Sequence, residues 1–358
     1  MKKSLLALAA LTAFAGAASA QSSVTLFGIV DLSVNSVKNG AISQKLLSSN
    51  GLASNRLGFR GIEDLGGGMR AGFWIEGGMN NDEGTGLAAG GGMNWARRST
   101  VSLLGGFGEV RLGRDYTPTF FNKTVFDPFG TNGLGAELNV ESTLGSGATT
   151  LVRASNMVSY FLPAMGGIYG QVSVAAGENV PGNKYVGGRI GYAGGPVNVA
   201  VSYGKTYKDG SMLTDFKDMN IGGSFDLGFM TLMAQYGKVD YSNRDQKKLL
   251  LGLTVPFGAS TLKASYLKAD GAQGSASRDF DAKQIAFGYQ YDLSKRTAIY
   301  ATVASLNNGG SLANGPGFTV GLQGYQFTAN GATATAANPV IRGGQTSRGY
   351  GLGVRHSF

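Results

Sequence analysis

Residues of alternating polarity recur along most of the chain in segments of about ten residues. In "SVTLFGIVDLSV", residues 23–34, Val24, Leu26 and Val30 share one parity and Asp31 has the other. Successive side chains of a strand point to opposite faces, so this period of two predicts β-strands with one apolar face. Further faces of this kind are Leu57 and Phe59; Val197, Val199, Val201 and Tyr203; Leu249, Leu251, Leu253 and Val255; and Ile285, Phe287, Tyr289 and Tyr291.

The connections between these segments alternate in length. Seven are short and rich in glycine, proline or aspartate, at 64–68, 105–108, 163–167, 193–196, 226–229, 256–259 and 292–296. Eight are longer and more polar, at 36–50, 80–93, 116–150, 178–184, 208–214, 242–246, 270–280 and 309–345. Fifteen connections predict sixteen strands, with short turns at one edge of the sheet and long loops at the other.

Strand length and this asymmetry together indicate a membrane barrel. Segments of about ten residues match the 9–11 residues of a tilted membrane strand, and short turns opposite long loops are typical of outer-membrane barrels. Backbone polar groups in lipid must all be paired, which requires closure. We therefore predict an all-β fold, a 16-stranded antiparallel transmembrane β-barrel with short periplasmic turns and long extracellular loops, in which the last segment, 348–358, pairs with 24–34.

The N-terminal residues predict export. Lys2 and Lys3 precede an apolar run, and "ASA" at 18–20 has the form that a signal peptidase cleaves. We therefore expect a signal peptide at 1–20 and a barrel domain at 21–358. Beyond residue 20, no apolar run approaches the roughly 18 residues that a membrane-spanning helix needs.

The composition argues against catalysis. The chain has no cysteine and a single histidine, His356, so a Cys/His zinc site has no ligands and a Ser-His-Asp triad would have to use that residue. His356 shares parity with Phe358, which predicts an outward position. "YGKT" at 203–206 ends like a phosphate-binding loop, but Val199 stands where the upstream glycine is required. We expect no enzyme activity, no metal and no cofactor.

Several long segments resemble one family. "SSVTLFGIVD" at 22–31, "SNRLGFRGIEDLGGGMRAGFWIE" at 54–76, "RRSTVSLLGGFGEVRLGRD" at 97–115, "RASNMVSYFLP" at 153–163 and "DLSKRTAIY" at 292–300 resemble a Gram-negative general porin of the neisserial and beta-proteobacterial type. The resemblance covers essentially the whole chain. It implies a homotrimer through which small hydrophilic solutes diffuse, and a third long loop, 116–150, that folds inward and narrows the pore.

The resemblance also implies partners and a location. The terminal Phe358 resembles the signal that is read by the outer-membrane assembly machinery. We expect the chain in the outer membrane of a Gram-negative bacterium, surrounded by lipid and lipopolysaccharide. The formal net charge of +9 does not by itself indicate nucleic acid, and we expect no nucleic-acid partner.

Charged side chains at the narrowest point set the selectivity of a pore. In the family, a basic cluster on the constriction wall corresponds here to Arg56, to Arg97 or Arg98, and to Arg153. Parity favours Arg98 as the inward residue of the pair, although a bulge near the loop could turn Arg97 inward, so both remain candidates. Parity alone also points Arg56, Arg60, Arg111, Arg153, Arg189 and Lys263 into the lumen.

Acidic residues of the third loop are expected to face this basic wall. Asp127, Glu137 and Glu141 are the candidates, and they would set up a field across the pore. In the alternative interpretation, the inward arginines only pair with Asp31, Glu76 or Glu109 as parts of structural networks.

These observations predict a general diffusion porin with weak anion selectivity. A solute-specific channel, with a dedicated binding site in its loop, is the alternative among channels. An exported β-sandwich adhesin is the alternative from a different class, since a signal peptide and alternating strands would also suit it. A barrel enzyme is a third idea, which the absence of histidine dyads disfavours.

Overall fold

A computed structural model describes residues 23–273, 281–309, 322 and 344–358. The predicted signal peptide and most of the loop predicted at 309–345 lie outside the described residues. The described strands are β1 (Ser23–Asn39), β2 (Ile42–Ser49), β3 (Arg56–Gly66), β4 (Met69–Asn80), β5 (Thr85–Gly86), β6 (Arg98–Gly105), β7 (Gly108–Tyr116), β8 (Arg153–Phe161), β9 (Ile168–Ala175), β10 (Tyr185–Gly194), β11 (Val197–Thr206), β12 (Phe216–Asp226), β13 (Thr231–Tyr241), β14 (Arg244–Phe257), β15 (Ser260–Gln273), β16 (Ala282–Asp292), β17 (Thr297–Asn308) and β18 (Thr346–Ser357).

These segments form sixteen wall strands in a closed antiparallel barrel. β2 and β3 pair with successive halves of β1 and together make the second wall strand. β5 pairs only with the end of β4 and belongs to a loop. The first strand, β1, pairs with the last, β18, so the sheet closes on itself. Closure confirms the predicted fold and excludes a sandwich of two sheets.

The break between β2 and β3 is held by one buried carboxylate. Asp31 accepts hydrogen bonds from the backbone N–H groups of Leu52 at 2.8 Å and Ala53 at 2.6 Å, and from the Tyr300 hydroxyl. The chain between the two strands therefore folds inward against the first wall strand.

All seven short turns lie where the sequence predicted them. In the first, Gly66, Gly67 and Gly68 have φ values of 79°, 60° and 80°, which side chains other than glycine rarely adopt. Two of the predicted long loops are wrong. Residues 36–50 are mostly strand, because β1 and β2 are joined by a hairpin at 40–41. Residues 242–246 contain only a two-residue turn between β13 and β14.

The closing register also differs in detail from the prediction. The last strand, β18, pairs with residues 29–39 of β1, from Ile29↔Ser357 to Asn39↔Ser347. On its other side, β1 pairs along most of its length, through residues 23–29 with β3 and residues 32–39 with β2. The strands are staggered around the barrel, so β18 meets only the loop-side part of β1.

The outer face is apolar and the inner face polar. Val24 is 68% exposed and Leu352 67%. Many aromatic and aliphatic residues of the same parity are also exposed. Residues of the other parity, such as Asn220 and Gln284, are buried among polar partners inside the barrel. Among the described residues, no helix is long and apolar enough to cross a membrane.

The connection from β7 to β8 fills part of the lumen. It contains helix α1 (Pro118–Phe126) and the short 3-10 helix Glu137–Val140; another short 3-10 helix, Ala89–Gly91, lies in the preceding loop. The Thr117 side chain accepts the N–H of Phe120, and Pro118 occupies the first turn, which are common helix-starting features. α1 contacts β9–β13 on the inside of the wall. The third long loop therefore folds inward, as predicted.

Candidate pore constriction

Five arginines line one cavity on the inner wall. It has a volume of about 200 Å³, and two carboxylates, Glu76 and Asp115, lie among the arginines. Three of the arginines lie at the loop-side ends of alternate wall strands, Arg56 on β3, Arg98 on β6 and Arg153 on β8, with β4 and β7 between them. The five are Arg56, Arg97, Arg98, Arg111 and Arg153.

Glu76, on β4, holds two of these arginines. Its Oε1 lies 2.6 Å from Nε of Arg97 and 3.4 Å from Nη1 of Arg56. Its Oε2 accepts a hydrogen bond of 3.1 Å from the indole N–H of Trp74. These contacts fix the two guanidinium groups against the wall.

Asp115 and Glu109 hold the next two arginines. Asp115 Oδ2 lies 2.6 Å from Nη1 of Arg111 and 3.4 Å from Nε of Arg98. Glu109 Oε1 lies 2.8 Å from Nε of Arg111. The arginines therefore form a supported layer, as the alternative interpretation predicted for Glu76 and Glu109. Asp31 binds backbone and Tyr300 instead.

Arg153 has a different environment. Its Nε donates a 2.7 Å hydrogen bond to the backbone oxygen of Arg97, and its guanidinium lies 4.4 Å from the centre of the Tyr116 ring. Among the described residues, no carboxylate oxygen lies within 4.0 Å of its nitrogens. Its charge is therefore balanced less directly than those of its neighbours.

Both members of the Arg97–Arg98 pair line the cavity. Arg98 follows strand parity, since Val101 and Leu103 face outward. Arg97 precedes the first residue of β6, and its N–H donates to the Glu76 backbone oxygen. Outside the regular strand its side chain is free to turn inward, which is the possibility that the sequence left open.

Arg60 lies deeper on the same wall, toward the short turns. It stacks 5.0 Å from Trp74 and 5.3 Å from Phe27. It lines a neighbouring cavity of which Arg98 and Arg111 also form part. The two cavities therefore share two arginines, and cationic groups continue along the wall.

Arg189 and Lys263 lie apart from this group. Arg189 stacks on Phe121 at 4.4 Å and on Tyr169 at 4.7 Å, beside the start of the inward loop. Lys263, on β15, has inward parity, opposite to the exposed Leu262. Neither lines the cavity that holds the five arginines.

Asp127 lies inside the loop rather than facing the arginines. Its carboxylate accepts N–H groups of Phe129 at 2.9 Å, Thr131 at 2.9 Å and Glu137 at 3.0 Å. Burial raises the pKa of Asp127 to about 6, with help from the Glu137 carboxylate and against these hydrogen bonds. Asp127 therefore shapes the loop, and its placement differs from the expectation.

Glu137 and Glu141 point into the barrel wall. Nζ of Lys248, on β14, lies 2.7 Å from Oε1 of Glu137 and also binds Glu141. Nζ of Lys123, on α1, lies 3.1 Å from Oε1 of Glu141 and 2.9 Å from Oδ2 of Asp218. Two lysines thus meet three carboxylates, and all five side chains are at most 5% exposed.

Electrostatics stabilise this buried cluster. Burial alone would raise the pKa of Glu141, but the Lys123 and Lys248 ammonium groups outweigh it and lower the pKa to about 2. Burial alone would lower the pKa of Lys123, but Asp218 and Glu141 raise it above its usual range. The loop is therefore anchored by ionised groups.

Sequence reasoning missed Lys123, Asp218 and Lys248 as loop anchors. Parity marks Asp218 and Lys248 as inward, but the same is true of every charged residue on the inner face. Their partners could not be identified without the path of the loop.

A profile of the family described as "Gram-negative porin" matches residues 7–311. The chain belongs to the Gram-negative porin family. The porin is 37% identical over 378 residues to outer membrane porin protein 32 of Delftia acidovorans, with all of both chains covered.

Two further proteins of known kind are similar to the porin. The porin is 28% identical to the major outer membrane protein P.IB of Neisseria meningitidis serogroup A, covering 86% of this chain and 94% of the relative. A solved anion-selective porin from Comamonas acidovorans superposes with a TM-score of 0.80 at 33% identity, covering 94% of this chain and 100% of the other. The porin is thus a channel protein of the Gram-negative outer membrane and not an enzyme.

Proposed function

We propose that this porin passes small hydrophilic solutes and ions by diffusion with a weak preference for anions. The observation that carries the proposal is the cavity with five arginines, whose carboxylate partners are Glu76, Asp115 and Glu109, so that an excess of two positive charges remains on this part of the wall. The loop carboxylates on the other side are occupied by Lys123 and Lys248. The basic wall therefore dominates the field that a permeating ion meets.

In this mechanism, an anion exchanges part of its hydration shell for guanidinium N–H groups. Arg56, Arg97, Arg98 and Arg153 form the basic wall of the constriction, and Arg60 continues it toward the short turns. Cations are repelled at the same place, and the inward loop sets the size limit. A solved relative described as anion-selective supports the sign of the preference.

The test is the reversal potential of single channels in a planar bilayer under a KCl gradient. Replacing Arg56, Arg98 and Arg153 together by Ser should lower the chloride-to-potassium permeability ratio at low salt by roughly threefold or more, since surface fields are least screened there. Unchanged selectivity would contradict the proposal. A cation-favouring sign in the wild-type protein would shift control to the loop carboxylates.

A matched control removes the same charge elsewhere. Lys38, Lys45 and Arg348 are exposed, point outward and lie near the loop edge on β1, β2 and β18. Their triple replacement by Ser should leave the permeability ratio within the error of the wild type.

The finer assembly of the porin is part of the same proposal. Residues 1–20 are removed on export, and residues 21–358 form a homotrimer in contact with lipid and lipopolysaccharide. Phe358 serves as the signal for the assembly machinery; its backbone pairs with Gly28, and its ring covers that glycine on the outer face. Deleting Phe358 should reduce the yield of folded trimer at least several-fold while leaving the unit conductance unchanged. Phe358→Tyr should not reduce the yield. A normal trimer yield after deletion would remove this role.

A further inference from the structure

Aromatic rings lie among the arginines of the constriction. The cavity that holds the five arginines is also lined by Trp74, Tyr116, Phe121 and Phe161. Attraction of small anions requires positive charge alone, and apolar surface is unfavourable to expose in a water-filled lumen. The rings therefore indicate a permeating solute that has apolar surface as well as negative charge.

Three of these rings each support one guanidinium group. The pairs, with the distance from the guanidinium carbon to the ring centre, are Arg98 and Trp74 at 4.5 Å, Arg111 and Phe161 at 4.1 Å, and Arg153 and Tyr116 at 4.4 Å. A guanidinium that lies on a ring keeps its other face and its N–H edge for a different partner. Because it is planar and weakly hydrated, a second planar group can stack on that face.

Arg153 carries free hydrogen-bond donors. Its Nε donates to the backbone oxygen of Arg97, and within the described residues its two terminal nitrogens make no hydrogen bond. Both nitrogens are accessible, because neither is among the buried polar atoms that lack a partner. Two parallel N–H groups of one guanidinium match the two oxygens of a carboxylate. Arg153 therefore presents a carboxylate-binding edge to the cavity.

Phe121 presents an exposed ring to the same cavity. It is the most exposed residue of α1, at 39%, although it lies inside the barrel. Arg189, on β10, lies 4.4 Å from the centre of this ring and covers part of it. The Tyr116 ring, which supports Arg153, packs on Phe120 with 4.9 Å between ring centres. The free donors and the exposed ring are therefore supported by neighbouring residues of one connection.

We propose that this cavity selects carboxylates carried on a planar aromatic ring over other carboxylates of the same size and charge. The carboxylate accepts hydrogen bonds from the terminal nitrogens of Arg153, and the ring stacks on Phe121 and on a neighbouring guanidinium. The cavity volume of about 200 Å³ equals that of about seven waters at roughly 30 Å³ each, which is room for one such ring. This selectivity rests on the proposed anion channel, since it names the class of anion that the channel retains.

Two other solute classes fit the cavity less well. A small inorganic anion would satisfy the Arg153 donors but leave the Phe121 ring exposed to water. A neutral aromatic solute would cover the ring but leave the cationic donors without an acceptor. The combination of a free guanidinium edge and an exposed ring favours the aromatic carboxylate.

The test uses single channels of the mature porin in a planar bilayer. Benzoate or cyclohexanecarboxylate is added to KCl at neutral pH, and the concentration that blocks half of the current is measured. The two anions have the same charge and ring size, but only benzoate is planar and aromatic. Benzoate should reach half-block at a concentration lower by roughly threefold or more, because only its ring makes aromatic and cation–π contacts. Equal block, or stronger block by cyclohexanecarboxylate, would overturn the proposal.

Phe121→Leu tests the ring while keeping apolar bulk. It should raise the half-blocking concentration of benzoate by roughly threefold or more, because the aromatic contact is lost. Cyclohexanecarboxylate should lose less. The matched control is Phe287→Leu, which removes an exposed ring from the outer face of β16 and should change neither value. An equal loss for both anions in Phe121→Leu would mean that the ring only shapes the loop.

Arg153→Lys tests the guanidinium edge. Lysine keeps the positive charge but lacks the planar face and the paired N–H groups, so the half-blocking concentration of benzoate should rise by roughly threefold or more. Because the charge is retained, a loss of block reports on the shape of the donor group and not on the field of the pore. Unchanged block would overturn the assignment of the carboxylate to Arg153.

The reversal potential in KCl alone separates this test from that of the basic wall. A wild-type channel that prefers chloride but is blocked equally by the two carboxylates would overturn the aromatic selectivity alone. A wild-type channel without chloride preference would contradict the proposed function, and the two half-blocking concentrations would still be compared in it.

Discussion

Glu76 links three side chains of the constriction. It binds Arg56 and Arg97 and accepts the indole N–H of Trp74. Its two ion pairs hold the guanidinium groups in place, and its single negative charge cancels one positive charge in the field of the pore. Charge and position are therefore coupled in this one side chain.

Glu76→Gln should separate the two effects. Glutamine keeps an oxygen that accepts hydrogen bonds but removes the negative charge, so the chloride-to-potassium permeability ratio at low salt should rise, by roughly twofold. The reversal potential measures this ratio. Glu63→Gln, an exposed carboxylate near the short-turn edge, is the control and should have no effect. A fall in the ratio would mean that Glu76 acts mainly by positioning the arginines.

For single residues, the sequence predicted whether a side chain points into the barrel but not which residues it contacts. Strand parity placed Arg56, Arg98 and Arg153 on the inner face correctly. It could not show that Glu76 would reach Arg97, because Arg97 lies outside the regular strand. Ion pairs between wall strands depend on the stagger of the barrel, which the residue pattern does not contain.

The inward loop is fixed to the wall by shape as well as by charge. The ring of Phe126, at the end of α1, lies over Gly222 on β12; a Cβ at that glycine would come within 2.2 Å of the ring. The neighbouring glycine, Gly223, faces outward, and its nearest contact would be an ordinary 3.4 Å. The two glycines therefore differ in what a side chain would meet.

Gly222→Val should displace α1 from the wall. The added methyl groups overlap the Phe126 ring, so the loop no longer packs against the wall at this point. The open-channel current should become noisier, and the unit conductance should change by at least a fifth. Gly223→Val is the matched control and should conduct like the wild type. Equal current traces for both variants would show that Phe126 does not secure the loop.

Acid should release the same loop through Glu141. The Lys123 and Lys248 ammonium groups lower the pKa of Glu141 from 4.5 to about 2, so its contribution to anchoring is complete above pH 4.5 and is lost as the pH falls toward 2. Asp127, with a pKa of about 6, takes up its proton above this window. Proteolysis of the loop by an acid-active protease should therefore begin only below about pH 4.

Lys248→Met provides the comparison for the acid experiment. Without one of the two ammonium groups, Glu141 holds its charge less strongly, so the loop should become cleavable at higher pH than in the wild type. Replacement of the exposed Lys247 by Met should not move the profile. Identical profiles for all three proteins would contradict anchoring by this cluster.

At the scale of elements, the sequence predicted that the third loop folds inward but not how. The loop has no periodic alternation of polarity, so its sequence does not indicate in which direction the side chains of Asp127, Glu137 and Glu141 point. The basic partners are Lys123 on α1 and Lys248 on β14, and Lys248 lies 111 positions after Glu137 and 107 after Glu141. The residue pattern does not show contacts over such separations, so the acidic residues were expected to face the arginines.

At the scale of the whole molecule, one register closes the barrel. Lys38 on β1 lies opposite Arg348 on β18, near the loop edge. Directly opposed residues in antiparallel strands have Cα atoms about 4.5–5.5 Å apart, within the range of a disulfide. The chain has no cysteine of its own, so an introduced pair reports on this contact alone.

The double variant Lys38→Cys, Arg348→Cys should form a disulfide in more than half of the folded molecules under mild oxidation. The cross-link joins the two ends of the barrel and should appear as a mobility shift in a non-reducing gel. Lys38→Cys with Leu352→Cys, four positions out of register, should remain mostly reduced. A cross-link in the second variant as efficient as in the first would contradict the register.

The number of strands could be predicted because short turns and long loops alternate without exception. The predictions of two long loops were wrong for one physical reason. At 36–50 and 242–246 the strands continue past the apolar band, where both faces meet polar surroundings, and the alternation that marks a strand becomes weaker. The pattern therefore records the membrane-facing part of a strand better than its full length.

The buried cluster that anchors the loop has a consequence for how such channels can diverge. The bulk that narrows the opening is supported by α1, β12 and β14, whereas the cationic surface belongs to β3–β8. Substitutions on one side can alter which sign of ion passes, and substitutions on the other can alter how large a solute passes. The two traits can therefore be inherited and selected separately within a single chain.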